Sequence, residues 1–187
     1  MSNLWKEIRS CELCADTLTP NPVIAIHPKA KLVIIGQAPG TKVHDNGIPW
    51  NDASGILLRK WLGMETADFY DETKVAIVPM GFCYPGKGKT GDLPPKKICA
   101  TTWHQRVLES LPEARLLLLI GSYAQKYYLK DVGGKTLTEN VGNFEQFLPT
   151  YFPLPHPSTR NRFWMQKNKW FETEVLPELR KQIREVL

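Results

Sequence analysis

Residues 31–40 read KLVIIGQAPG, a β-branched apolar run that ends at Gly36 and passes straight into a Gly-Gln-Ala-Pro-Gly turn. An apolar run without polar alternation fits a strand buried on both faces, as strands of parallel sheets are. Working outward, Ser54 to Leu62 (SGILLRKWL) carries apolar residues at helical spacing, and residues 74–78 (KVAIV) form a second short strand stopped by Pro79. Pro94 and Pro95 mark the start of an amphipathic helix over 96–111. Residues 114–121 (ARLLLLIG) are the most continuous buried strand, with a helical pattern over 122–129 behind it. A last short strand over 151–154 precedes His156, and residues 170–187 read as an amphipathic closing helix. Strands alternating with helices predict an α/β fold in three layers, αβα, around a four-stranded parallel sheet. Ligands of such sheets bind at the carboxyl ends of the strands. The loops opening at Gly36, Pro79, Gly121 and Pro155 are therefore expected to wall one pocket.

The chain has 187 residues, with 24 Lys or Arg against 19 Asp or Glu, a net charge of +5, and 42% hydrophobic content. No linker, repeat or low-complexity segment divides it, so one domain over residues 1–187 is expected, large enough to bury its own core. No run of about 18 apolar residues exists, which excludes a transmembrane helix, and no membrane partner is expected. The start, MSNLWKEIRSCELC, lacks the apolar stretch of a secretory signal, so a cytoplasmic location is expected. The charge is concentrated. Residues 87–97, KGKTGDLPPKK, set four Lys against Asp92, and residues 160–169, RNRFWMQKNK, hold two Arg and two Lys around Phe163 and Trp164. Basic residues interleaved with aromatics suit phosphate neutralisation with base stacking or wedging. A solvated face with a few core aromatics is the plainer reading of the same residues.

Three constellations carry chemistry. The turn from Gly36 to Gly40 is neither a Walker loop nor a dinucleotide fingerprint. Its exposed backbone N–H groups suit a phosphate, a carbonyl or a base edge, with Gln37 held at the strand end. In PLPHPSTRN (153–161), prolines on both sides fix the backbone around His156. A histidine so presented suits hydrogen bonding to developing negative charge, or general acid–base work. Ser158 is placed to cap a helix running on through Arg162 and Phe163. Finally, Cys11-x2-Cys14 is joined by Cys83 and Cys99, with fifteen residues between the last two. In a reducing compartment such a set suits a four-thiolate site for zinc or a [4Fe–4S] cluster. The lack of a second CxxC disfavours a zinc ribbon, whose knuckles are usually paired; buried thiols beside an incidental CxxC are the alternative.

Taken together, these elements resemble the uracil-DNA glycosylase superfamily, nearest to its iron–sulfur-containing family 4. The resemblance runs from Cys11 to the closing helix. It rests on Cys11 and Cys14, the Gly36–Gly40 turn in place of GEAPG, Gly47 to Trp50 in place of G-x-P-F, Cys83, Cys99, and the His156-Pro157-Ser158 motif. It implies a glycosylase-like α/β fold, and an enzyme that takes a flipped uracil or other deaminated base from DNA and hydrolyses its N-glycosidic bond. Carried over residue by residue, His156 would donate to the base as charge builds on it, and Trp50 would stack on the base. Gln37 and Ala38 would contact the base edge. Ser158, Arg160, Asn161 and Arg162 would hold the DNA. The four cysteines would carry a structural [4Fe–4S] cluster, with zinc as runner-up. The partner is DNA containing a damaged or deaminated base, met by a monomer.

Two positions depart from the family. Its first motif carries a catalytic carboxylate where this chain has Gln37, and a glutamine can position a water but not accept its proton. Asp45 or His44, in the same loop, are the candidate substitutes. The family's base-reading Asn at the end of the second strand is matched by Pro79, followed by Met80 as the nearest substrate contact, and neither side chain reads a pyrimidine edge. These departures leave a second reading, a catalytically weak or inactive lesion-binding module on the glycosylase fold, and a third, a zinc protein unrelated to DNA.

Overall fold

The structure, a computed structural model, describes residues 3–158 and 161–187. The chain opens with helix α1 (Asn3–Arg9) and reaches strand β1 (Leu32–Ile35) after an extended segment. Helices α2 (Thr41–Asn46), α3 (Ala53–Leu62) and the single turn α4 (Thr66–Phe69) precede β2 (Val75–Ile77). Helix α5 (Lys97–Glu109) leads to β3 (Leu116–Ile120), followed by α6 (Gly121–Tyr128), α7 (Leu137–Gly142) and β4 (Tyr151–Leu154). Helix α8 (Arg162–Lys167), a π-helical turn (Phe171–Val175) and α9 (Leu176–Val186) close the chain. Among the described residues, no helix is long and apolar enough to cross a membrane.

All four strands are parallel, in the order β2-β1-β3-β4. Every residue of β1, β2 and β3 is buried, which is why those strands read as unbroken apolar runs. Side chains alternate across the sheet. Leu32, Ile34, Leu116, Leu118, Phe152 and Leu154 pack with Leu58, Trp61 and Leu62 of α3 and with Phe171, Leu179 and Ile183 near the carboxyl end. Val33, Ile35, Leu117 and Leu119 face the other way, onto Ile8 of α1, Ala100, Trp103 and Val107 of α5, and Ala124 of α6. The result is the expected αβα sandwich. Each fully buried aromatic in it, such as Phe69, Phe82, Phe152 and Phe171, contributes roughly 1.5–3 kcal/mol relative to exposure.

The strand order decides where a ligand can sit. From β1 the chain turns to one side for β2, and from β3 it turns to the other for β4. The loops leaving β1 and β3 therefore diverge, and the crevice between them opens at the carboxyl ends of the strands.

Candidate functional site

The loops at the carboxyl ends of all four strands enclose one cavity of about 550 Å³. Gly36 to Gly40 come from β1, Pro79 from β2, Tyr123 from α6 directly after β3, and His156, Ser158 and Asn161 from the segment after β4. The remaining wall includes Trp50 and Asp52 before α3, and Lys87, Thr90 and Asp92 from the loop after β2.

The β1 loop is tied down at once. The carbonyls of Gly36 and Gln37 accept the N–H groups of Met80 and Gly81 at 2.9 and 3.0 Å. These bonds carry the β1–β2 alignment past the ends of the strands and fix Gln37 at the cavity wall. Gly40 then stands at the N-cap of α2, and Gly47 ends that helix in the left-handed region with φ 69°, where glycine carries no Cβ penalty.

Trp50 follows with φ 57°, the only described non-glycine residue in that region. Such a backbone costs about 1–2 kcal/mol for a residue with a side chain and persists only where the surroundings impose it. Here they do. The indole lies on Gly36, where a β-carbon would come within 2.8 Å of a ring carbon. Its ring centroid stands 5.7 Å from that of His156, tilted by 34°. Asp52, two residues on, caps α3 by accepting the Gly55 N–H at 2.8 Å.

His156 is half-buried between two prolines. Its carbonyl accepts the Ser158 N–H at 2.8 Å and the Asn161 side-chain amide at 2.7 Å, and Gly121, with φ 82°, passes beneath its Cβ. Burial pushes the imidazole below the usual histidine range, and the charge of Asp52 opposes that shift. At neutral pH the ring is therefore uncharged, and one ring nitrogen carries a proton it can donate.

Several expectations from the sequence need correcting. Asp45 is exposed on α2 and does not line the cavity; nor does His44. Met80 lies buried in the core beneath the β2 loop, because its backbone pairs with Gly36 and its side chain points into the layer under the sheet; at the end of β2 it is Pro79, not Met80, that faces the cavity. Helix α8 begins at Arg162 with Asn161, not Ser158, at its N-cap position. Arg162 is exposed beyond the cavity rim, and Arg160 lies outside the described residues. Gln37, Ala38, Trp50, Ser158, Asn161 and His156 all line the cavity. Asp52 was missed, although an Asp directly before a helical pattern is an N-cap signal. The hairpin that brings Lys87 and Asp92 together was missed as well, because its glycines read only as a loop.

The four cysteines meet at a second place. Cys11, Cys14, Cys83 and Cys99 line one small, mainly apolar cavity with Phe82, Trp103 and Lys96. Backbone N–H groups of Asn21 and Phe82 donate to the sulfurs of Cys83 and Cys99 at 3.4 and 3.3 Å. Burial pushes the Cys99 thiol up to about 12, and its three fellow thiols push the same way; burial likewise raises Cys83 and Cys14. As placed, no three described His, Cys, Asp or Glu side chains come close enough together to hold a single metal ion. The donor type, the enclosure and the two N–H···S bonds fit a thiolate-bound group.

Fold and site together define an α/β protein whose binding cavity spans the carboxyl ends of a four-stranded parallel sheet, with a rigidly held histidine facing an aromatic ring. The chain belongs to the uracil DNA glycosylase superfamily, whose family model matches residues 24–180. It is similar to a solution structure from Methanosarcina acetivorans described as "a putative Uracil DNA glycosylase", at 16% sequence identity and a TM-score of 0.47, over 85% of this chain and 94% of that one.

Proposed function

We propose that this protein is a monofunctional DNA base glycosylase of the branch that resembles iron–sulfur family 4, hydrolysing the N-glycosidic bond of a flipped uracil or other deaminated base. The observation that carries the reading is the Trp50–His156 pair, 5.7 Å apart in the cavity that the Gly36–Gly40 turn also lines. A base extruded from DNA stacks against the indole, and stacking offsets part of the unstacking cost. As the C1′–N bond breaks, its electron pair moves onto the base. The neutral His156 ring donates its N–H to the oxygen where that charge collects. Gln37 orients the water that adds to C1′, and the proton this water loses is taken up by the departing base anion, which leaves as the neutral base. Pro79 presents no donor or acceptor side chain, so the base is held by stacking and by backbone groups of Gln37 and Ala38 more than by edge reading.

Cys11, Cys14, Cys83 and Cys99 would hold a [4Fe–4S] cluster, with zinc as the other group that this donor set takes. Bound there, the group supplies cross-links that tie the N-terminal turn to the β2 loop and to α5. DNA enters over Lys87 on one side of the cavity and Arg162 on the other, and one chain serves one lesion.

The test is a base-release assay on oligonucleotides containing uracil, hypoxanthine or xanthine, single- and double-stranded, beside His156→Ala. Release by the native protein is expected, with a loss of about 10²–10³-fold in the folded variant. A mobility shift on lesion DNA with no abasic product from any substrate would replace the enzyme with a lesion binder.

A further inference from the structure

Two side chains from outside the cavity grip the backbone at the point where Trp50 turns left-handed. Arg59, on α3, donates from Nη1 to the Trp50 carbonyl at 3.3 Å and, from the same nitrogen, to the Tyr70 hydroxyl at 3.3 Å. The Tyr70 hydroxyl in turn donates to the Pro49 carbonyl at 3.1 Å. Consecutive carbonyls are thus each met by a donor of one coupled pair. The pair is itself anchored. The Arg59 guanidinium lies 5.3 Å from the centroid of Phe69, which is fully buried, and 5.6 Å from that of Tyr70, and those two rings meet edge to face at 5.1 Å. Neither Arg59 nor Tyr70 lines the cavity.

This arrangement has a definite consequence for the indole. Rotating the 49–50 peptide toward ordinary extended geometry would take the Pro49 carbonyl from the Tyr70 hydroxyl, and rotating the 50–51 peptide would take the Trp50 carbonyl from the part-buried Arg59 guanidinium, each at the cost of a part-buried hydrogen bond. Gly55 leaves room for the Trp50 carbonyl, but a glycine holds nothing by itself; Arg59 and Tyr70 supply the attraction.

We propose that Arg59 and Tyr70 are positioning residues of the site: by fixing the carbonyls of Pro49 and Trp50 they hold the indole over Gly36 and set the width of the slot beside His156. The proposal rests on the glycosylase reading for its effect on rate, but not for its effect on the position of Trp50.

The experiment compares Arg59→Met, Arg59→Lys and Tyr70→Phe in the full chain, with Trp50→Phe used to assign the Trp50 indole N–H resonance. In Arg59→Met that resonance is expected to shift, and single-turnover base release to fall about 10- to 100-fold, the loss expected from a misplaced contact group. The deficit should fall on the rate more than on DNA affinity. Arg59→Lys, which retains a donor, should recover part of it. Tyr70→Phe, which removes one oxygen and keeps the ring packing, should shift the same resonance by less, and it decides the matter if Arg59→Met does not fold. An unmoved Trp50 resonance in folded variants at both positions overturns the proposal. If the native protein releases no base, the glycosylase reading falls, while the resonance still reports on the positioning.

Discussion

A β-carbon on Gly55 would fall inside the carbonyl group of Trp50, 2.6 Å from its carbon and 2.9 Å from the Trp50 Cβ. Close approach, not backbone freedom, is what requires glycine here. Alanine would add up to about 1 kcal/mol of helix propensity in α3, but the clash is with main chain, which cannot swing aside, and overpacking of this kind costs about 1–3 kcal/mol. Gly55→Ala is therefore expected to lower stability in denaturant titrations and to reduce base release, because only a shift of Trp50 relieves the contact. A variant of native stability and native activity would mean that the two backbones separate freely.

The sheet was legible because its strands are buried on both faces, so 31–36 and 114–121 could hardly be read otherwise. The histidine was legible because its flanking prolines have no use unless direction matters. Asp45 and Met80 were misplaced for a common reason. Proximity in sequence to Gln37 or Pro79 says nothing about which way a side chain leaves a loop, and that direction is set by the Gly36–Met80 and Gln37–Gly81 backbone bonds, between segments forty-odd residues apart in sequence. Arg59 and Tyr70 were invisible as a pair, since α3 and α4 meet only in the fold.

Gln37 lines the cavity and Asp45 does not, so Gln37→Glu introduces the missing base where a water can be met. Uracil release is expected to rise by about 10²-fold in the variant, the usual worth of a positioned general base. Asp45→Ala should leave the rate unchanged. The reverse pattern in a base-release series would return the water-activating role to Asp45.

For the cysteines, anaerobic purification is expected to yield a brown protein with absorbance near roughly 400 nm, and iron and sulfide in equal amounts. Cys83→Ser and Cys99→Ser should lose the colour and lower the melting temperature, since both take a backbone N–H and sit where α5 meets the β2 loop. A colourless native protein carrying one zinc would assign the site to the runner-up.

Arg162 and Phe163 stand side by side on α8, with Phe163 75% exposed, an unusual place for a bare phenyl ring on a basic helix. If this helix faces DNA, each should fail differently. Arg162→Ala should weaken binding to all sequences and reduce the salt slope of log K by about 1, as one lost phosphate contact does. Phe163→Ser should cost duplex substrates more than single-stranded ones, because only a duplex needs a wedge to open the stack. Equal losses on both substrates would mean that Phe163 does not act as a wedge.

Acid destabilises the fold through a buried imidazole. His104, on α5, is 1% exposed and packs between α6 and the β2 loop. One ring nitrogen, Nε2, lies 3.1 Å from the Pro79 carbonyl, which can only accept, so the proton belongs there. Nδ1, 2.6 Å from the Tyr128 hydroxyl, must then accept, and burial pushes the imidazole down to about 4. An unfolded histidine titrates near 6.5. Between those values the unfolded chain binds more protons than the folded one, so stability is complete above about pH 6.5 and falls as the pH drops toward 4. From pH 7.5 to pH 5 the loss from this group should be about 1–2 kcal/mol, and His156, shifted in the same direction, adds to it. Denaturant midpoints across that range measure the effect, and His104→Gln should flatten the curve. If its pH dependence matches that of the native protein, His104 does not titrate differently on unfolding. If it flattens, the imidazole that holds the Pro79 carbonyl is also a group whose charging opposes the fold.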